Sequence, residues 1–234
     1  MLLRRLHATK ITRHRYGTPR DEVHRETDLL EDGYTDVADG KVAFVATSLQ
    51  MLRPVASRPE RAGTEFAIRP VARPDLGWYR ELYGRIGTDW LWFSRLHMAG
   101  PALQAILHHP DVEVYALAGS KDDEGLLELD FRVSGQCEIA YFGVTAGLVG
   151  GGAGRRLMNH AIAAAWRRPI GRLWVHTCNG DHPAALQFYI RSGFAPFKRQ
   201  IEIADDPRLT GLLPETAAPH IPLIRPHSQF MSHA

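Results

Sequence analysis

The chain has 234 residues, of which 44% are hydrophobic and 23% charged, with a formal net charge of +2. That length suits one well-buried domain with an extension rather than two domains of ordinary size. The near-balanced charge gives no electrostatic case for a nucleic-acid partner, and no apolar run approaches a membrane span.

At the N-terminus, MLLRRLHATKITRHRYG is basic and acid-free like a weak transit peptide, but it lacks an apolar stretch of signal-peptide length. Residues 1–63 read as an extension with one strand, KVAFVATSLQM, followed by a proline- and arginine-rich linker. The compact domain is expected over 64–203. It starts with a strand at EFAIRPV, then a helical pair over DLGWYRELYGRI and DWLWFSRLHM and a short helix at ALQAILHH. Strands VEVYALAG and GLLELDFRV are joined by a polar hairpin, and in the second Leu127, Leu129, Phe131 and Val133 share one face while Glu128, Asp130 and Arg132 share a polar one.

The strand QCEIAYFGVT follows, then a glycine loop, and then a helix from Gly152 to Arg167 with an apolar stripe through Leu157, Met158, Ala161, Ile162, Ala165 and Trp166. Next come the strand RLWVHTC, a helix over HPAALQFYIRS capped by Asp181 or His182, and a last strand at FKRQIEI. Residues 204–234 read as a C-terminal tail packed on the surface or partly loose. This order defines a mixed α/β (α+β) fold, a central sheet flanked by helices.

The loop VGGGAGRR runs into a helix N-terminus, where unpaired N–H groups and a partial positive charge favour an anion. Arg155 and Arg156 would add cationic charge; the plain alternative is a tight, flexible turn. The spacing does not fit the dinucleotide fingerprint, and the lysine with serine or threonine of a P-loop is missing. The two cysteines, Cys137 and Cys178, lack metal-ligand spacing and read as buried thiols of a reducing compartment, so the cytoplasm is the expected location. The scattered histidines give no metal site.

The stretch EIAYFGVTAGLVGGGAGRRLMNHAI resembles the central motif of the GNAT superfamily of acetyl-CoA-dependent N-acetyltransferases. HPAALQFYIRSGF resembles its second marker, a helix that carries a tyrosine and closes in Gly-Phe. The resemblance implies a GNAT-like sheet and acetyl-CoA as cosubstrate, bound through the backbone of Val149, Gly150, Gly151, Gly152, Ala153, Gly154 and Arg155. His182 stands where the family has asparagine, and Val149 where it has glutamine or arginine.

It also implies that Tyr189 protonates the departing thiolate and that the Val144 backbone N–H holds the thioester carbonyl. A lysine-like amine is unprotonated in roughly one molecule in 2,000 at neutral pH, so a base must assist. The resemblance places Glu138 in that role. Glu128 and Asp130 on the neighbouring polar face are alternatives, and crowding would raise their pKa values; the sequence does not choose among the three. Aromatic residues between Trp78 and Phe93 belong to the acceptor-side helices, most of them as core. The expected acceptor is an amine-bearing small molecule or peptide, with neither nucleic acid nor membrane as partner and self-association left open. A non-catalytic acyl-CoA-binding module and an acyltransferase for longer chains are the competing readings.

Overall fold

The computed structural model describes residues 29–61 and 66–226. The transit-like start and the expected domain boundary near Thr64 lie outside these residues. Of the first unit, Met1–Asp32, residues 29–32 are described and form no helix or strand; everything below belongs to the second unit, which starts at Gly33.

Seven strands form one sheet: β1 (Lys41–Met51), β2 (Ile68–Pro70), β3 (Val112–Ala118), β4 (Asp123–Asp130), β5 (Gln136–Val144), β6 (Arg172–Cys178) and β7 (Ala195–Asp205). Their order is β2-β3-β4-β5-β6-β1-β7. The expected elements are present with shifted ends, and the largest difference concerns β1. Placed by sequence in an extension, it is an inner strand, antiparallel to both β6 and β7. Its pattern explains the position: Val42, Phe44, Leu49 and Met51 are buried, and an inner strand needs apolar contacts on both faces.

Helices cover both faces. On one, α4 (Ala153–Ala165) packs its stripe of Leu157, Met158, Ala161, Ile162 and Ala165 on β4 and β5, and α5 (Ala185–Arg191) lies on β6. On the other lie α1 (Leu76–Gly87), α2 (Ser94–His97) and α3 (Gly100–Leu107), with Tyr79, Leu82, Tyr83, Leu103 and Leu107 buried against Val114 and Leu126. The Asp75 side chain starts α1 by accepting from the Trp78 N–H at 2.9 Å. The predicted second helix of the pair is broken: Leu91 sits in the left-handed region at φ 51°, and the Trp92 N–H turns back to the Gly87 carbonyl at 2.9 Å. A 3-10 turn (Thr88–Trp90) and the four-residue α2 take its place.

The polar face expected on β4 is therefore covered. Glu128 is fully buried, its carboxylate accepting from the Tyr79 hydroxyl at 2.5 Å and paired with Arg95. The tail is more ordered than expected, because Leu213, Ala217 and Ala218 pack on Val42, Phe44 and Leu91. Buried Arg208 binds Asp206 at 2.7 Å and also donates to the carbonyls of Ala217 and Ile221. The tail backbone thus supplies the acceptors that a buried guanidinium requires.

Candidate functional site

β5 and β6 are parallel, and their pairing runs from Gln136 opposite Arg172 to Glu138 opposite Trp174. Beyond that point the register ends although both strands continue, to Val144 and Cys178. A wedge therefore opens between two adjacent strands in the middle of the sheet, at the end where β5 runs into the glycine loop.

On the β4 side, a bulge at Ala140 shifts the register, so that Leu129 faces Ile139 while Glu128 faces Tyr141. The extra residue reverses the side-chain alternation. Ile139 and Phe142 point toward α4, whereas Tyr141 and Gly143 face α1. The Thr145 N–H bonds to the Glu124 carbonyl at 2.8 Å. Antiparallel pairing alternates the direction of successive N–H groups, so the Val144 N–H is turned the other way, toward the wedge. Gly143 allows the helices on the α1 side to approach: a Cβ there would lie 2.5 Å from Ile86 and 3.2 Å from Trp92.

At the outer end of β5, Val149–Gly152 turn into α4. Gly150 and Gly152 have φ of +78° and +95°, values that side-chain-bearing residues adopt only with strain. Gly152 is the N-cap of α4 and makes no side-chain capping hydrogen bond. The N–H groups of the first turn thus lack the side-chain acceptor that Asp75 gives α1, and the space around Gly150 and Gly154 is open. These residues fit a phosphate group that would take those N–H bonds. Arg155 lies over the Phe188 ring at 4.8 Å and donates to the Ser192 hydroxyl at 3.0 Å, which fixes it between α4 and α5. Arg156, grouped with it by sequence, points elsewhere and binds Glu60 at 2.9 Å.

Tyr189 borders the wedge from α5. It is 7% exposed and packed among Phe142, Phe188 and Phe194. Burial raises its phenol well above the ordinary range, and the Asp181 carboxylate adds to the effect, so it holds its proton.

Of the three carboxylates named from sequence, Asp130 and Glu138 lie opposite one another across β4 and β5, and each of the three has its own basic partner. Glu128 is held by Arg95 and Tyr79 under α1, and Asp130 is bound by Arg132. Glu138 stands where β5 and β6 part, 3.5 Å from His176, two residues beyond its own partner on β6. Burial would lower the His176 pKa, an effect limited by the 49% exposure of its side chain; the hydrogen bond and charge of Glu138, with Asp181 and Glu202, outweigh it, and the net direction is up.

The His182 ring contacts Trp90 at 5.1 Å and accepts from the Ala184 N–H. Asp181, expected as a helix cap, instead closes the turn after β6 by accepting from Thr177 at 2.7 Å and the Cys178 N–H at 2.9 Å. It also accepts from the Trp92 indole at 3.2 Å. His176 was passed over in the sequence, and Asp181 was read only as a cap, because their importance depends on strand register and on a contact between distant segments.

Residues 97–194 match the model of the acetyltransferase (GNAT) family, so this segment is a GNAT-family acyltransferase domain. Among solved structures, a GCN5-related N-acetyltransferase from Sphaerobacter thermophilus is 16% identical with a TM-score of 0.50, over 70% of this chain and 52% of its own. A functionally unknown conserved protein from Staphylococcus epidermidis is 15% identical with a TM-score of 0.49, over 71% and 63%. A putative acetyltransferase of the GNAT family from Novosphingobium aromaticivorans is 16% identical with a TM-score of 0.47, over 71% and 68%. The chain thus spans less than two thirds of the length of the first two. No curated protein matches it. Among the described residues, no helix is long and apolar enough to cross a membrane.

Proposed function

We propose that this protein is an N-acetyltransferase that moves an acetyl group from acetyl-CoA directly to a primary amine. The observation that carries the reading is the wedge between β5 and β6, with an uncapped helix N-terminus at its outer end and a protonated tyrosine along its side. In this reading the glycine loop, Val149–Gly154, and Arg155 bind the pyrophosphate. The pantetheine arm takes the place of the missing strand pairing, and the thioester carbonyl accepts from the Val144 N–H.

The amine approaches from the α1 side, between Tyr141, Trp92 and the Glu138–His176 pair. Its nitrogen attacks the carbonyl carbon as the C–S bond breaks. The Glu138 carboxylate accepts the proton released by the amine and Tyr189 donates one to the thiolate, giving the amide and free coenzyme A. Glu138 suits the base because it is the one of the three carboxylates at the parting of β5 and β6, whereas Glu128 is enclosed by Arg95 and Tyr79. We place the acceptor among amine-bearing small molecules or peptides and the protein in the cytoplasm, where its two free cysteines would stay reduced.

Calorimetric titration with acetyl-CoA, followed by a thiol-release assay over an amine panel, tests the proposal. Binding with turnover on at least one amine is expected. Binding without turnover would point to a sensing module, turnover only with longer acyl groups to a different donor, and absence of binding would overturn the reading.

A further inference from the structure

The segment before β2 crosses α4. Asn159, one turn beyond Arg155, holds the backbone of Arg58 on both sides: its Oδ1 accepts from the Arg58 N–H at 3.2 Å and its Nδ2 donates to the Arg58 carbonyl at 2.8 Å. Asn159 also donates to Glu60 at 2.8 Å, and Arg156 binds the same carboxylate at 2.9 Å. The strap is thus pinned to the helix that the glycine loop starts. From the other direction, Arg155 donates to Ser192, the neighbour of Arg191 at the end of α5. Two elements distant in sequence therefore hold the Arg58 backbone one turn along α4 from Arg155 and place Arg191 next to the residue that Arg155 binds, and the charges of both act on Arg155.

Three guanidinium groups gathered in this way repel one another. The Arg155 pKa is lowered by burial and by the charges of Arg58 and Arg191, and no carboxylate among the described residues counters them. The nearby Glu60 is bound to Arg156 and Asn159. Arg58 and Arg191 are exposed, and neither makes a side-chain hydrogen bond or ion pair with another described residue. A cationic cluster without a counterion among the described residues, near an uncapped helix N-terminus, suits a ligand with more negative charge than one pyrophosphate carries.

We propose that Arg58 and Arg191, with Arg155 between them, bind the 3′-phosphate end of coenzyme A, so that the strap preceding the family domain is part of the cosubstrate site. This rests on the acyl-CoA reading above. The pyrophosphate is met by the amides of the α4 N-terminus and by Arg155. The 3′-phosphate, with about two negative charges at neutral pH, is left for the outer arginines. Asn159 is a positioning residue: it sets the height of the strap on α4 and hence where Arg58 stands.

The test is calorimetric titration of the full chain with coenzyme A and with 3′-dephospho-coenzyme A, for wild type, Arg58→Ala, Arg58→Lys and Arg191→Ala. Both arginines are exposed, so folding is retained. Wild type is expected to prefer coenzyme A. Arg58→Ala and Arg191→Ala should each weaken coenzyme A by about tenfold and the dephospho form by less than about twofold, and Arg58→Lys should keep part of the preference. If wild type binds coenzyme A but the alanine variants match it, or lose both ligands equally, this inference is overturned and the acyl-CoA reading stands. If wild type binds neither ligand, both are overturned.

Discussion

Tyr189 illustrates what a single side chain owes to its surroundings. A phenol among three phenylalanine rings, near a carboxylate, keeps its proton across the neutral range, which suits a group that donates only when a thiolate forms beside it. Tyr189→Phe keeps the ring packing and removes the proton, so kcat should fall by about tenfold or more while the acetyl-CoA Kd changes by less than about twofold. Steady-state thiol release and calorimetry measure the two effects, and unchanged turnover would remove Tyr189 from the mechanism. His176 gives a second handle. Its folded pKa is raised above the ordinary 6.5, so its contribution to stability is fully present below that value and is lost as pH rises through the raised one. Urea denaturation of His176→Gln should therefore show a deficit against wild type of up to about 1 kcal/mol at about pH 5.5 that shrinks by about pH 9; its half-exposed side chain limits the size. A deficit that grows with pH would contradict the pairing.

For the elements, the loop and helix at Val149–Ala165 were legible because glycines at a helix start are a local signal that needs no tertiary context. Glu138 could be named on its motif, but not its partner. The pairing with His176 depends on the parallel register of β5 and β6, which no local pattern encodes. Glu128 was misplaced for a related reason: alternation along β4 showed a polar face, and only the packing of α1 and α2 turned that face into a buried site with Arg95 and Tyr79 as partners. In the same way the broken helix after Gly87 follows from Leu91 adopting a left-handed turn that apolar periodicity does not reveal. Gly152→Val tests the loop at this scale. At φ +95° a β-branched residue is strained and would also crowd the helix N-terminus, so acetyl-CoA affinity should fall at least about tenfold. Retained affinity, measured by calorimetry on a variant with wild-type circular dichroism, would show that the loop does not hold the cosubstrate.

In the whole molecule, the strand expected to stand apart is central to the sheet. β1 lies between β6 and β7, and β7 has β1 as its neighbour in the sheet. The sequence offered the strand itself, with correct ends at Lys41 and Met51, but the proline-rich stretch after it read as a domain boundary. Long-range pairing is decided by which edges remain open once the local units have formed, and that information is spread over the whole chain. A fragment beginning at residue 64 should therefore lack a cooperative thermal transition, whereas one beginning at residue 33 should keep it. Cooperative melting of the shorter fragment would show that β1 is dispensable.

In the proposed function, acetyl-CoA lies in the opening between β5 and β6, with its phosphates at the start of α4. Backbone amide NMR of the full chain during titration with acetyl-CoA tests this directly. The largest shifts are expected at Val144 and at Gly150–Arg155, with smaller ones around Tyr189 and little change in β2 and β3. Saturable binding whose shifts fall on β2, β3 or α3 and leave Val144 and the glycine loop unmoved would contradict it.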